Sequence, residues 1–215
     1  VILTLLKVLS EECLKRKIAI TGGETSIHNN LNGLEIGITM SGFIKKQRIN
    51  KFKKGDVLIG IKSNGLHSNG FTKIKEIFGK EFRPEFVRPT YIYSETILSL
   101  DEQFNLHGMM HITGGAYMKL KDLLGKEDIR IEREHKLLPQ KIFREIYEKG
   151  VSDEEMYKTF NCGIGFILSI SPREAKRVIL KLNNDGFKAD IIGEVTLGTG
   201  KIKIESAFSK KELEF

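Results

Sequence analysis

Residues 55–79 read GDVLIGIKSNGLHSNGFTKIKEIFG. The β-branched and leucine residues of VLIGI predict a buried strand, and the apolar spacing of residues 70–79 predicts a helix. Ser, Asn, Gly and His fill the connection between them, SNGLHSNG at 63–70. Glycine lets backbone N–H groups approach a ligand closely, and a helix N-terminus adds partial positive charge that suits phosphate. The stretch therefore favours an anion-binding turn between a strand and a helix.

Three other segments have a similar polar, glycine-rich composition: TGGETS at 21–26, HITGG at 111–115 and MYKTFNCGIG at 156–165. We interpret each of them as the polar end of a strand. One such segment is usually only a turn, and a single histidine in it is more often a cap or a core hydrogen bonder than a catalyst. Four of them in one chain favour a ligand site, in which Ser, Thr and Asn would bind phosphate or ribose. His67 and His111 can donate to a phosphoryl oxygen or transfer a proton.

The remaining pattern alternates helices with strands, some of which are adjacent. It predicts an α/β fold with α+β character, in which helices pack on a mixed sheet. Helices are predicted at 1–16, 70–79, 88–104, 116–125, 139–150 and 171–186. Strands are predicted at 18–26, 33–44, 57–61, 106–115, 129–134, 160–171, 189–198 and 201–206. The charged segment at 45–56 marks a domain boundary near residue 50.

Composition argues against several classes of protein. Hydrophobic residues make up 40% and charged residues 29% of the 215, as in an ordinary globular protein. No apolar run is long enough for a transmembrane helix, and the start lacks the features of a signal peptide, so no membrane association is expected. Cys13 and Cys162 are far apart, which favours a reducing cytoplasm, and the histidines lack zinc-ligand spacing. The net charge of +7 suits phosphorylated small molecules. Binding of nucleic acid is not expected, because the scattered Lys and Arg form no nucleic-acid-binding motif.

Four segments closely resemble the family of phosphoribosylformylglycinamidine cyclo-ligases, also called aminoimidazole ribonucleotide synthetases: ITGGETS, GDVLIGIKSNGLHSNGFTKIKEI, HITGGAYMKL and DEEMYKTFNCGIGFIL. They occur in the family's order and span essentially the whole chain, and EMYKTFNCGIG is the most specific. The resemblance implies ATP-dependent ring closure of formylglycinamidine ribonucleotide to 5-aminoimidazole ribonucleotide in purine biosynthesis. The formyl oxygen is phosphorylated, the ribosyl-bearing nitrogen attacks the activated carbon, and phosphate leaves.

The resemblance also implies ATP and Mg²⁺ as cofactors and a homodimer in the cytoplasm. Residues 1–50 would be the end of an N-terminal ATP-binding α/β domain, and residues 51–215 a C-terminal domain of the cyclo-ligase type. His111 and His67 would be catalytic. Gly23, Glu24 and Thr25 would bind the nucleotide, with Glu24 as a metal ligand. The residues implied for substrate or phosphate binding are Ser68, Asn69, Gly70, Thr113, Gly114, Gly115, Thr159, Asn161 and Gly163.

The chain departs from the family's pattern in several places. After Thr25 the family usually continues Ala-Glu-Met-Pro-Gly, whereas this chain reads SIHNN. Tyr91 stands where many members have Arg, and Ala116 where a third Gly is common. Family members also have a further N-terminal segment with acidic residues for ATP and magnesium. Because Val1 opens within a predicted helix, we expect a fragment of a longer protein, with little or no cyclo-ligase activity if it is the whole polypeptide.

Two other functions stay open at this point. One is another ATP-dependent synthetase or kinase of the same superfamily, which would need a different ending to the TFNCGIG segment. The other is a non-catalytic nucleotide-binding fragment. An upstream segment in the native polypeptide would favour the enzyme over the fragment.

Overall fold

The computed structural model describes residues 1–43 and 47–215, and the chain divides into two compact units, Val1–Gln47 and Arg48–Phe215. The division falls within the charged segment at 45–56. No helix in the described part of the chain combines the length and hydrophobicity of a membrane span.

The first unit begins with helix α1 (Ile2–Lys15), which confirms the helix predicted at 1–16. The strands predicted at 18–26 and 33–44 are wrong, because the described residues of these segments form no strand; residue 44 lies outside the description. A strand needs a hydrogen-bonded neighbour, and an unpaired extended segment is not stable in water. Apolar side chains of both segments, such as Ile20 and Ile36, are exposed.

The second unit is built on one seven-stranded sheet. Its strands are β1 (Val57–Lys62), β2 (Gly108–His111), β3 (Glu127–Ile131), β4 (Ile164–Ile170), β5 (Ala189–Leu197), β6 (Ile202–Glu205) and β7 (Glu212–Glu214). Their order across the sheet is β2-β4-β1-β5-β3-β6-β7. All neighbours are antiparallel except β3 and β6, which are parallel. The mixed sheet confirms the predicted fold class.

Helices cover both faces of the sheet. They are α2 (Phe71–Phe78), α3 (Ser94–Gln103), α4 (Lys141–Glu148), α5 (Asp153–Thr159) and α6 (Pro172–Asn184), with 3₁₀ helices at Pro84–Val87 and Ala116–Leu123. Side chains alternate along β1, so that Leu58 packs in the core with α2, α4 and α5, while Ile59 and Ile61 pack with α3 and α6. Both cores therefore depend on the alternation of a few central strands.

Helix α6 begins as predicted and α3 does not. Ser171 is the N-cap residue of α6 and Pro172 its first helical residue. The helix predicted at 88–104, with Pro89 in its first turn, begins only at Ser94. Arg88 is extended, because a residue that precedes proline is disfavoured in the helical region.

Three further differences affect the site. The helix predicted at 116–125 is a 3₁₀ helix, and α5 and β7 were not predicted. As a result, MYKTFNCGIG runs from the end of α5 into the start of β4 rather than following a strand. A short amphipathic helix and the polar end of a strand have similar compositions, so the pattern alone did not distinguish them.

A buried carboxylate fastens the start of β1 to its neighbours. Asp56 is only 4% exposed, and its Oδ2 accepts hydrogen bonds from Ser169 Oγ on β4 at 2.5 Å and from His107 Nδ1, just before β2, at 2.8 Å. The Asp56 carbonyl also accepts from the Val195 N–H on β5. A buried acid is tolerated when its oxygens are bonded in this way.

Asp56→Ala should lower the free energy of unfolding by about 1–3 kcal/mol, because it leaves the Ser169 hydroxyl and the His107 ring without their acceptor. Urea unfolding followed by circular dichroism measures the change. The control is Glu76→Ala, which removes an exposed Lys73–Glu76 ion pair and should cost about 0.5 kcal/mol or less. Equal losses for the two variants would contradict this role of Asp56.

Candidate active site

The pairing of β4 brings three of the polar segments together. β4 is antiparallel to both β1 and β2, with Ile164 opposite Lys62 and Phe166 opposite His111. The start of β4 therefore lies beside the ends of the other two strands. The turn after β1, the turn after β2 and the loop before β4 converge at this edge of the sheet.

Side chains link these segments directly. Asn69 Nδ2 donates to Thr113 Oγ1 at 3.2 Å, which joins the turn after β1 to the turn after β2. Tyr117 Oη donates to the Asn161 carbonyl at 2.9 Å, which joins the 3₁₀ helix to the loop before β4. The three motifs thus form one structural unit.

His67 has an unusual backbone for a histidine. Its φ is +61°, in the left-handed region, and it lies between Gly65 at +154° and Gly70 at +77°. A Cβ on Gly70 would overlap the ring of Phe160, so glycine is needed there for space as well as for conformation. The turn places the His67 ring in the interior, where the side chain is only 3% exposed.

The imidazoles of His67 and His111 lie in an aromatic cluster. Their ring centroids are 5.9 Å apart, and the Tyr93 ring lies 6.2 Å from His67 and 5.5 Å from His111. Phe166 stacks on His111 at 5.9 Å with the planes 13° apart. Gly165 leaves room for the cluster, since a Cβ there would collide with Tyr93 Oη and come within 2.7 Å of His67 Cε1.

His67 is buried and His111 is half-buried, and three of their ring nitrogens lack a hydrogen-bond partner in the described part of the chain. Neither ring nitrogen of His67, nor Nε2 of His111, has a hydrogen-bond partner among the described residues. Burial, reinforced by nearby His111, lowers the pKa of His67 to about 4. Burial and the charge of Lys119 lower the pKa of His111. Both rings are therefore neutral at neutral pH, and each can accept or donate a hydrogen bond.

Asn161 faces the turn after β1 rather than an open space. Its Nδ2 donates to the carbonyls of Gly65 and Leu66 at 2.8 and 3.3 Å, and its Oδ1 accepts from the Gly163 N–H at 2.9 Å. The side chain is buried. Its predicted contact with a ligand stays a prediction, because the hydrogen bonds described are all internal.

The other predicted residues surround this centre. Ser68, Gly114 and Gly115 are exposed at the surface of the converging turns, and Asn69, Gly70 and Thr113 are half-buried. Thr159 donates to Glu155 within α5 at 2.7 Å. Gly163 has a φ of +97° and packs against Pro139. All lie on the segments that converge around the two imidazoles.

Gly23, Glu24 and Thr25 lie in the first unit, on an exposed segment without regular structure. Within the described residues no three His, Cys, Asp or Glu side chains are placed to hold a metal ion together. A single exposed carboxylate does not make a magnesium site, so these residues do not by themselves fit the predicted metal.

The two substitutions relative to the family's pattern lie close to the site. Ala116 takes a φ of +43°, which a glycine would adopt more readily, and its N–H donates to the Thr113 carbonyl. Tyr91 is half-exposed and packs edge-on against Tyr93 and Phe187.

Tyr93, Phe166 and Tyr117 also belong to the site, although the sequence did not indicate them. Tyr93 packs against both imidazoles, and burial raises its pKa. An aromatic residue ahead of a helix or within an apolar strand has no sequence signal that separates it from ordinary core. Gly165 was quoted within the motif, but its contacts with Tyr93 and His67 appear only in three dimensions.

Residues 53–204 match the family model described as AIR synthase related protein, C-terminal domain. The phosphoribosylformylglycinamidine cyclo-ligase of Clostridium perfringens strain 13 is 38% identical over 211 residues, covering 90% of this chain and 63% of the relative. That of Methanococcus maripaludis strain C5 is 35% identical over 208 residues, covering 88% and 59%. The resemblance drawn from the motifs is confirmed, and the chain spans about three fifths of the length of these relatives.

Solved structures share the fold at low sequence identity. The hydrogenase maturation protein HypE has a TM-score of 0.55 at 13% identity, covering 80% of this chain and 56% of HypE. Thermotoga maritima PurL complexed with FGAR has a TM-score of 0.51 at 13% identity, covering 77% of this chain and 28% of PurL. These similarities concern the fold alone.

The burial of His67 predicts a pH dependence of stability. The pKa of His67 is about 4 in the folded chain and 6.5 as the ordinary value for an unfolded chain. Between about pH 4 and 6.5 the unfolded chain therefore binds a proton that the folded chain does not. Stability from the neutral ring is therefore complete above about pH 6.5 and is lost as the pH falls toward 4, by up to about 3 kcal/mol. Urea unfolding at several pH values measures the slope.

His67→Asn should reduce that slope, because asparagine tolerates the left-handed backbone but does not titrate. His28→Asn is the control, since His28 is exposed in the first unit, and it should leave the slope unchanged. A His67→Asn variant with the wild-type slope would show that the buried ring is not its source.

Gly165→Ala should destabilise the chain by about 1–3 kcal/mol, because the added methyl group has no space between Tyr93 and His67. Gly114→Ala is the matched control. A Cβ there would lie 3.7 Å from Asn69 Oδ1, an ordinary contact. Thermal unfolding compares the two variants, and a Gly165→Ala chain as stable as Gly114→Ala would refute the packing argument.

Proposed function

Because the chain belongs to the family of AIR synthase related proteins, through the C-terminal domain, we propose that it is part of an ATP-dependent cyclo-ligase. The reaction is closure of the imidazole ring of formylglycinamidine ribonucleotide to 5-aminoimidazole ribonucleotide, a step of purine biosynthesis. The names of the cyclo-ligase relatives support this activity, although the chain spans only about three fifths of their length.

One observation carries the proposal: the buried imidazole of His67 and the half-buried imidazole of His111 lie where three polar loops converge, and three of their four ring nitrogens have no hydrogen-bond partner among the described residues. Unpaired buried polar groups destabilise a folded protein, and in native structures they concentrate at sites of function. A substrate that hydrogen-bonds to the rings of His67 and His111 would satisfy them. Burial also keeps the rings neutral, as a proton acceptor must be.

The proposed chemistry needs a proton acceptor and hydrogen bonds to phosphate. The ribosyl-bearing nitrogen of the substrate, which attacks the activated carbon, must lose a proton. A neutral histidine side chain can accept that proton. His111 is only half-buried and so is open to substrate, whereas His67 lies deeper behind it. The hydroxyls of Ser68 and Thr113, the amide of Asn69 and the backbone N–H groups of the glycine-rich turns would bind phosphate oxygens. Thr159, Asn161 and Gly163 complete the proposed site.

ATP is the proposed phosphoryl donor and Mg²⁺ its companion ion, on the strength of the family resemblance. One solved structure of similar fold is Thermotoga maritima PurL complexed with ATP, with a TM-score of 0.50. Gly23, Glu24 and Thr25 are the proposed nucleotide contacts in the first unit. Since the described residues do not form a metal site by themselves, no step is assigned to the metal.

The same resemblance supports a homodimer in the cytoplasm. It also supports residues 1–50 as the end of a nucleotide-binding domain and residues 51–215 as the C-terminal domain. The net charge of +7 is consistent with a phosphorylated small-molecule substrate.

The test is ring closure by the protein purified from its natural source, with its intact mass compared with 24.4 kDa. Mass spectrometry follows ATP-dependent formation of 5-aminoimidazole ribonucleotide. In that full polypeptide His111→Gln should lower kcat about 10²–10⁴-fold, because glutamine can hydrogen-bond but cannot take up a proton.

Glu76→Ala serves as the surface control and should retain wild-type kcat. Absence of ring closure by the natural polypeptide would refute the proposed function. Wild-type kcat in His111→Gln would refute the role of His111 while leaving the activity in place.

A further inference from the structure

The backbone of His67 needs an explanation that its own side chain does not provide. A non-glycine residue in the left-handed region costs about 1–2 kcal/mol, and the His67 ring makes no hydrogen bond to the described residues in return. Such a conformation persists only where the surroundings enforce it. The constraint must therefore come from other residues that contact the turn.

The Asn161 carboxamide hydrogen-bonds to the two peptide groups that precede His67. Its Nδ2 donates to the Gly65 carbonyl at 2.8 Å and to the Leu66 carbonyl at 3.3 Å. Its oxygen is held in turn by the Gly163 N–H at 2.9 Å. An asparagine side chain has a planar amide with an NH₂ donor group and a carbonyl acceptor, and it carries no charge. It therefore suits a buried position that faces two carbonyls and one N–H.

Neighbouring contacts fix both ends of the turn. The Phe160 ring lies directly against Gly70, where a Cβ would overlap it. The Asn161 carbonyl accepts from Tyr117 Oη at 2.9 Å, which anchors the loop before β4 to the 3₁₀ helix. Phe160 and Asn161 therefore hold the far and the near end of the turn that carries His67.

We propose that Asn161 is a positioning residue, whose carboxamide holds the Gly65 and Leu66 carbonyls so that the His67 ring stays buried against His111. Its importance for catalysis rests on the proposed function, but the positioning itself does not. The alternative is that Asn161 contacts a ligand directly. In that case its loss would leave His67 unchanged in the ligand-free chain.

The test observes His67 by NMR in the full chain, with ¹³C-labelled histidine and no substrate present. The chain has five histidines, and the resonance of His67 is the one that disappears in His67→Asn. Each resonance is titrated between about pH 3 and 8. The titratable groups facing His67 are His111 on β2 and Tyr93 ahead of α3, and Lys119 in turn acts on His111. Since no activity is measured, failure of the proposed function would not affect the outcome.

Asn161→Leu keeps the number and branching of the side-chain heavy atoms and adds no charge. If Asn161 positions the turn, the pKa of His67 should rise by at least about 1, from about 4 toward 6.5, as the ring gains water. Ser206→Ala is the matched control: it also removes a fully buried hydrogen-bonding group, but its partner is Asp153 at the start of α5. It should leave the His67 titration unchanged.

An unchanged His67 titration in folded Asn161→Leu would overturn the proposal in favour of direct ligand contact. Should that variant not fold, hydrogen exchange of the wild-type Asn161 side-chain amide decides. A carboxamide held by two carbonyls should exchange as slowly as the core strands, through large-scale unfolding. Rapid exchange of this amide would overturn the proposal.

Discussion

The antiparallel pairing of β4 with both β1 and β2 determines where the site forms. An antiparallel strand starts where its neighbours end, so the loop before β4 must lie beside the turns that follow β1 and β2. Hydrogen bonds between Asn69 and Thr113, and between Tyr117 and Asn161, then join the three loops. Segments separated by up to about a hundred residues become one site through strand order alone.

The centre of that site is unusually polar for its depth. Most of the buried side chains around it are apolar, yet two imidazoles lie among them with ring nitrogens unpaired by the described residues. Low polarity around the rings favours their neutral form and strengthens any hydrogen bond that a ligand would make to them. Unpaired ring nitrogens at this depth destabilise the free protein, and they are also the groups through which the proposed function would bind substrate and transfer a proton.

Elsewhere the second unit follows ordinary packing rules. Its central strands alternate their side chains between two cores, and Asp56, the buried acid that joins four strand segments, has its partners. The first unit differs, since its apolar residues are largely exposed. Similar apolar spacing thus gives buried side chains in the second unit and exposed ones in the first. Burial depends on whether another element packs against the residue.

The sequence predicted the mixed α/β fold, six of the seven strands of the second unit, helices such as α2 and α6, and the family. These rest on local periodicity, on caps such as Ser171 and Pro172, and on motifs whose residue types are visible in the chain. It also singled out His67 and His111, because glycine-rich polar turns are distinctive. It failed where local pattern is ambiguous, as in α5, and where a strand lacks a partner, as at 18–26.

How these residues contact one another follows from the tertiary fold. The burial of His67, the packing of Tyr93 against both imidazoles and the hydrogen bonds from Asn161 to Gly65 and Leu66 all join distant parts of the chain. Asn161 was predicted as a ligand-binding residue from its motif, and the structure shows that its side chain makes three internal hydrogen bonds. Local sequence encodes what a residue can donate or accept, whereas strand pairing and packing decide which partner it meets.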